Sequence, residues 1–114
     1  MKTVLFVLPL LLTATSAFAQ ETKLSCAGVQ TEEWSIEGTY GGAKIELFDN
    51  DSWTVFNYVM DLESYPVQMV YEEEGNSENT IVVRGTTSPE QATTTAIYRD
   101  ANGLVEDFAC QLSK

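Results

Sequence analysis

The side chains with chemistry to offer are two cysteines, Cys26 and Cys110, and 17 carboxylates, in a 114-residue sequence that holds no histidine. Without histidine the commonest general base is missing, and with it every Ser–His or Cys–His nucleophile pair. No glycine-rich phosphate loop and no dinucleotide fingerprint occurs. Paired carboxylates cleave glycosides in many enzymes, but 17 acidic residues supply such pairs by number alone and single none out. Two thiolates with no imidazole make a poor zinc site. The expectation is a protein that is not an enzyme, has no catalytic residue, and carries neither metal nor cofactor. What remains for the cysteines is each other.

Whether they pair depends on compartment, and the first twenty residues, MKTVLFVLPLLLTATSAFAQ, speak to that. Lys2 supplies a positive start, and Val4 to Leu12 form an apolar run short for a bilayer span. Ala17-Phe18-Ala19 is a small-x-small cleavage site. Residues 1–19 are therefore expected to be a secretory signal peptide and residues 20–114 a single domain. A membrane anchor is the other reading of such a run, but a polar, acidic stretch comes directly after it. No cysteine stands at the cleavage point, so no lipid anchor is expected, and the alanines suit bacterial export to the periplasm or medium. There disulfides persist, and Cys26–Cys110 is the expected pair; two buried free thiols are the alternative state. Asn50-Asp51-Ser52 is a glycosylation sequon only in a eukaryotic host, and a turn otherwise.

Removing residues 1–19 takes away only Lys2, leaving five cationic residues against 17 acidic ones, a net charge of −12. That excess repels nucleic-acid phosphates and anionic membranes and attracts basic proteins or cations. Two acidic clusters invite a cation, Asp49-Asn50-Asp51 and Glu72-Glu73-Glu74. The first lacks the glycine and distal glutamate of a calcium loop and reads better as a turn. The second reads better as a solvated strand end.

These residues must be held by strands. Hydrophobic residues make up 44% of the chain, too many for disorder. Residues 33–40 alternate, with Trp34, Ile36 and Tyr40 on one face; residues 43–48 alternate with Ile45 and Leu47. Gly41-Gly42, Asp49–Ser52 and Asp100–Gly103 are hairpin turn signals. Further strands are expected at residues 23–29, 53–60, 67–73, 80–86, 92–99 and 104–112, with 53–60 apolar on both faces and so central. Asp61 to Pro66 is expected to be a connection with room for one helical turn. Residues 74–79 are expected to be a polar loop, and residues 87–91 a loop with a short helix capped by Ser88. About eight strands at this spacing give an all-β domain. Tight sequential turns favour a small antiparallel up-and-down barrel, with one disulfide joining its first and last strands. A Greek-key β-sandwich is the alternative.

A barrel this small fills its interior with side chains, so most of the ten aromatics from Trp34 to Phe108 are expected in the core. Tyr65-Pro66 lies where no packing period claims it. The candidate binding loop is therefore Asp61, Glu63, Ser64 and Tyr65, an aromatic among acids.

The frame Leu24-Ser25-Cys26 at one end and Cys110-Gln111-Leu112 at the other resembles the periplasmic inhibitors of C-type lysozyme. The resemblance covers the two ends, the size and the export signal. It implies an eight-stranded barrel whose framing cysteines pair. The Ser-Gly-x-x-Tyr signature of that family's inhibitory loop is absent, Ser64-Tyr65 being the nearest fragment, so no inhibitory residue is carried over. The function expected is that of a secreted or periplasmic binding protein, inhibition of a basic hydrolase such as lysozyme being one form of it. A lipocalin-like carrier of small molecules or cations, and an envelope protein with a structural role, are the alternatives.

Overall fold

Eight antiparallel strands close into a barrel in simple sequential order in the computed structural model, which describes residues 21–114. The signal-peptide reading of residues 1–19 lies outside the described residues. The strands are β1 (Lys23–Gly28), β2 (Ser35–Thr39), β3 (Lys44–Asp49), β4 (Ser52–Leu62), β5 (Gln68–Glu73), β6 (Asn76–Arg84), β7 (Thr93–Arg99) and β8 (Val105–Ser113). Each pairs with its neighbour in sequence, and β1 pairs with β8. This is the up-and-down barrel, not the Greek-key sandwich.

The alternation of side chains across a strand builds the core. Leu24, Cys26, Ile36, Ile45, Leu47, Phe56, Met69, Tyr71, Ile81, Val83, Ala96, Tyr98, Phe108 and Cys110 point inward and are buried. The axis is filled by rings: Phe56 meets Tyr98 edge-on at 6.1 Å between centroids, and Trp34 meets Tyr98 at 5.9 Å. Edge-to-face contacts of this kind add to the burial of the rings themselves.

The seam is held twice. Six residue pairs join β1 to β8, from Lys23↔Ser113 to Gly28↔Phe108. Cys26 and Cys110 face each other within that ladder and are bonded, across a sequence separation of 84 residues. A cross-link over so long a loop removes about 4–5 kcal/mol of denatured-state entropy in the chain-entropy picture. Closure gives every strand a neighbour on both sides through the body of the barrel.

The turns divide between two ends. At one, Asn50 and Asp51 both take positive φ (48° and 66°) between Asp49 and Ser52. Asx residues tolerate that region, and two such residues give a hairpin turn whose twist matches the strands. Gly103 (φ 92°) closes the β7–β8 turn, where the Asp100 carboxylate accepts from the Asn102 and Leu104 N–H groups. The polar clusters Asp49–Asp51 and Asp100–Gly103 are therefore turns. Among the described residues no group of three or more metal-ligating side chains assembles.

Three expectations need correction. No helical turn forms at Asp61–Pro66: β4 runs on through Leu62, and residues 63–66 bend sharply into β5. No helix forms at residues 87–91, where Gln91 instead accepts from the N–H and hydroxyl of Thr87. Residues 74–79 are not a loop: β6 begins at Asn76, and only Glu74 and Gly75 turn. Asn76–Glu78 are exposed, beyond the level where the core requires an apolar face, so the strand continues on polar residues.

Candidate functional site

The most exposed large hydrophobic side chain among the described residues is Tyr65, 85% accessible, at the tip of the β4–β5 hairpin. The hairpin stands out because β4 is longer than its neighbour. β4 has 11 residues and β3 has 6, and the β3 register ends at Lys44↔Asn57. From Val59 to Leu62 the ladder of β4 is with β5 alone. The pairing slips between Tyr58 and Met60, so Val59 is an inserted residue. Bulges of this kind bend a strand and re-aim the side chains beyond them. Here the inserted residue turns Asp61 to the inward side opposite Met69 and sends Met60 and Leu62 outward.

The tip is tied down by its own polar groups. The Ser64 N–H donates to the Leu62 carbonyl at 2.9 Å, and the Ser64 hydroxyl donates to the Pro66 carbonyl at 2.9 Å. The Tyr65–Pro66 peptide is cis, and Pro66 is buried. Below it the Gly85 N–H reaches the Val67 carbonyl at 2.6 Å. A Cβ at Gly85 would fall 2.8 Å from that oxygen, so only glycine lets the two segments approach this closely.

Asp61 accepts a hydrogen bond from the Tyr58 hydroxyl at 2.9 Å. That bond raises the Tyr58 pKa, with desolvation and the Asp61 charge adding to it. Tyr58 packs edge-on against Tyr71 at 5.8 Å, and Tyr71 donates to the Gly42 carbonyl at 2.8 Å. Burial, more than the neighbouring Tyr58 and Asp61, pushes Tyr71 up to about 12. The candidate loop residues thus separate by role. Asp61 belongs to β4 and is engaged by Tyr58; Ser64 shapes the bend; Glu63 and Tyr65 are exposed. Around them stand Tyr58, Val59, Met60, Leu62 and Val67, all exposed. No signal within β4 alone marks its last residues as projecting, because projection is a property of the shorter β3 beside it.

The opposite end is acidic and inward-facing. Burial, and next the Glu73 charge, raise the Asp49 pKa. Tyr98 is pushed up to about 12, by burial first and then by Asp100, Asp49 and Glu73. Glu106 is buried there at 2% exposure and accepts from the Gln30 and Thr31 N–H groups at 2.8 and 2.7 Å. It organises the β1–β2 loop: Gly28 lies against Thr31 and the Glu106 carboxylate, where no side chain fits. Glu106 holds the β1–β2 loop in place, and the projecting hairpin is left as the candidate site.

No family model, curated protein or solved structure matches the chain.

Proposed function

We propose that the protein is an exported, non-enzymatic binding protein that engages a basic partner through the β4–β5 hairpin. The observation that carries this reading is the projecting tip, with Tyr65 85% exposed beside Glu63 and the apolar side chains of Met60 and Leu62. An aromatic on a braced loop gives a large contact area for little ordering entropy, which is how binding hot spots are built. The acidic excess of the chain supplies long-range attraction to a cationic surface and speeds encounter. The buried disulfide suits an oxidising compartment. The likeness of the cysteine frame to the lysozyme inhibitors makes a basic hydrolase such as lysozyme the first partner to try, with inhibition as the outcome to assay. A carrier role needs an open interior, and the stack of Trp34, Tyr98 and Phe56 occupies that space.

The test is capture of basic hydrolases, lysozyme first, on the purified oxidised protein at low and at physiological ionic strength. The expected result is binding that weakens with salt and falls about tenfold or more in Tyr65→Ala, as for an aromatic hot spot. Absence of binding at low ionic strength ends the proposal.

A further inference from the structure

A second surface has the opposite chemistry. On the outside of the barrel Met60 faces Val70, Val70 faces Val82, and Val82 faces Ile97. These four side chains form one unbroken apolar row across β4, β5, β6 and β7. The row ends at Asp107 on β8, which already accepts a hydrogen bond from Gln30. Arg84 and Arg99 lie on opposite sides of it. Arg84 is two residues beyond Val82 on β6 and pairs with Gln68; Arg99 is two residues beyond Ile97 on β7 and pairs with Thr80. Both arginines are exposed, and together with Leu62, Gln68, Val82 and Ile97 they line one shallow depression of about 160 Å³. The chain has five cationic residues from Lys23 onward, and its only two arginines both border this row.

The dimensions select the occupant. The levels of Arg84 and Arg99 are four residues apart along the strands, or about 13 Å. An α-helix with its side chains is about 10–12 Å across. Four strands span about 14 Å, the rise of roughly ten helical residues, enough for apolar side chains at i, i+3 or i+4, and i+7. At Val70, Val82 and Ile97 both strand edges are already paired, so an added strand finds no edge at the centre of the row and contact there must be made through side chains. Glu72 lies on the Arg99 level two strands away and leaves the positive borders at the β6–β7 end of the row.

We infer that this row is a docking surface for an amphipathic helix of a partner protein, seated with its apolar face on Val82 and Ile97 and with acidic side chains along both borders to meet Arg84 and Arg99. The surface shares Met60 and Leu62 with the β4–β5 hairpin but is centred on Val82 of β6 and Ile97 of β7, away from Tyr65, and its partner carries the opposite charge.

A synthetic amphipathic peptide of about fifteen residues, leucines on one face and glutamates on both borders, is the probe, read by fluorescence anisotropy against the oxidised protein. The comparison peptides carry lysine borders or the same residues in scrambled order. The glutamate-bordered peptide is expected to bind about tenfold tighter than either, the scale of two exposed charge pairs acting together. R84E/R99E is expected to reverse the preference towards the lysine-bordered peptide, a gain that a misfolded variant cannot produce. Tyr65→Ala is expected to bind the glutamate-bordered peptide as the parent does, which separates this surface from the Tyr65 contact. The inference is overturned if the lysine-bordered peptide binds the parent equally well or better, if R84E/R99E changes nothing, or if no peptide binds. It is also overturned if the protein prefers vesicles of phosphatidylcholine and phosphatidylglycerol to the peptide.

Discussion

On the β1–β3 side of the barrel, one outward row runs Gln111, Ser25, Glu37, Glu46. On the β4–β7 side the corresponding row runs Met60, Val70, Val82, Ile97. The inward faces behind these rows are alike, with Cys26, Ile36 and Ile45 behind the first and Tyr71, Ile81 and Ala96 behind the second. The core therefore makes the same demand of both walls, and the outward residues are free to differ. One wall uses that freedom for small and acidic side chains, as where Ser25 donates to Glu37 at 3.0 Å. The other places valine, isoleucine and methionine where threonine would satisfy the strand equally well. Outward chemistry that the fold does not require points to what the surface meets.

The contrast between the walls breaks most sharply at the disulfide. The polar wall contains the seam, and its outward side chains beside Cys26 and Cys110 are Ser25, Ala27, Ala109 and Gln111, none of them a large apolar group. Lateral packing there is thin, so C26A/C110A is expected to lower stability by about 4 kcal/mol. The six-pair β1–β8 ladder should keep the barrel closed in the absence of denaturant. Urea unfolding followed by near-ultraviolet circular dichroism measures both. Little loss would mean that the ladder alone seals the wall.

Next in size is Glu106→Ala, which leaves the Gln30 and Thr31 N–H groups without their acceptor. A loss of about 2–3 kcal/mol is expected in the same assay, the scale of charge-assisted bonds removed from a buried site.

The core shared by the two walls has its own signature in alkali. Tyr71 and Tyr98 are raised from the ordinary 10.0 to about 12. A raised folded-state pKa means that the native state holds the phenolic proton more tightly than the unfolded chain does. Stability is thus full below pH 10 and declines as pH rises through about 12. Urea midpoints across that window should fall, and Tyr98→Phe should make the fall less steep, since one of the three raised phenols, Tyr58, Tyr71 and Tyr98, is gone. An unchanged slope would assign the alkaline loss elsewhere.

The smallest effect tests the apolar wall directly. Ile97 is only partly buried on the outside of β7, so Ile97→Thr is expected to cost less than about 1 kcal/mol. A larger cost in the isolated protein would show that the outer row supports the barrel itself.

Much of this fold was legible from strand-local signals. The alternation through Ile36, Ile45 and Leu47, and the turn residues at Asp49–Ser52 and Asn102-Gly103, suffice for eight strands and a meander. The framing cysteines locate the closure. What escaped was set by neighbours. The extension of β4 to Leu62 is obscured by Asp61, an acid on the inward side of a strand, which makes sense only with Tyr58 positioned to bond it. The start of β6 at Asn76 is obscured because Asn76–Glu78 lie past the core. Tyr65 drew notice in the sequence because no packing period claimed it, and the structure exposes it. The Met60–Ile97 row was invisible, since four residues drawn from four strands become neighbours only once every register is known. Glu106 looked like one carboxylate among 17 because its partners are backbone donors 75 and 76 residues away.

The pairing of Lys23 with Ser113 brings both termini of the ring to the end that carries Tyr65. Linking these two residues by a short bridge and opening the chain at the Glu74-Gly75 turn would give a circularly permuted protein with the same ring of strands and its new ends at the far pole. In that rearranged chain a tag or a solid support no longer crowds the hairpin, so a partner hidden by terminal immobilisation would come into reach.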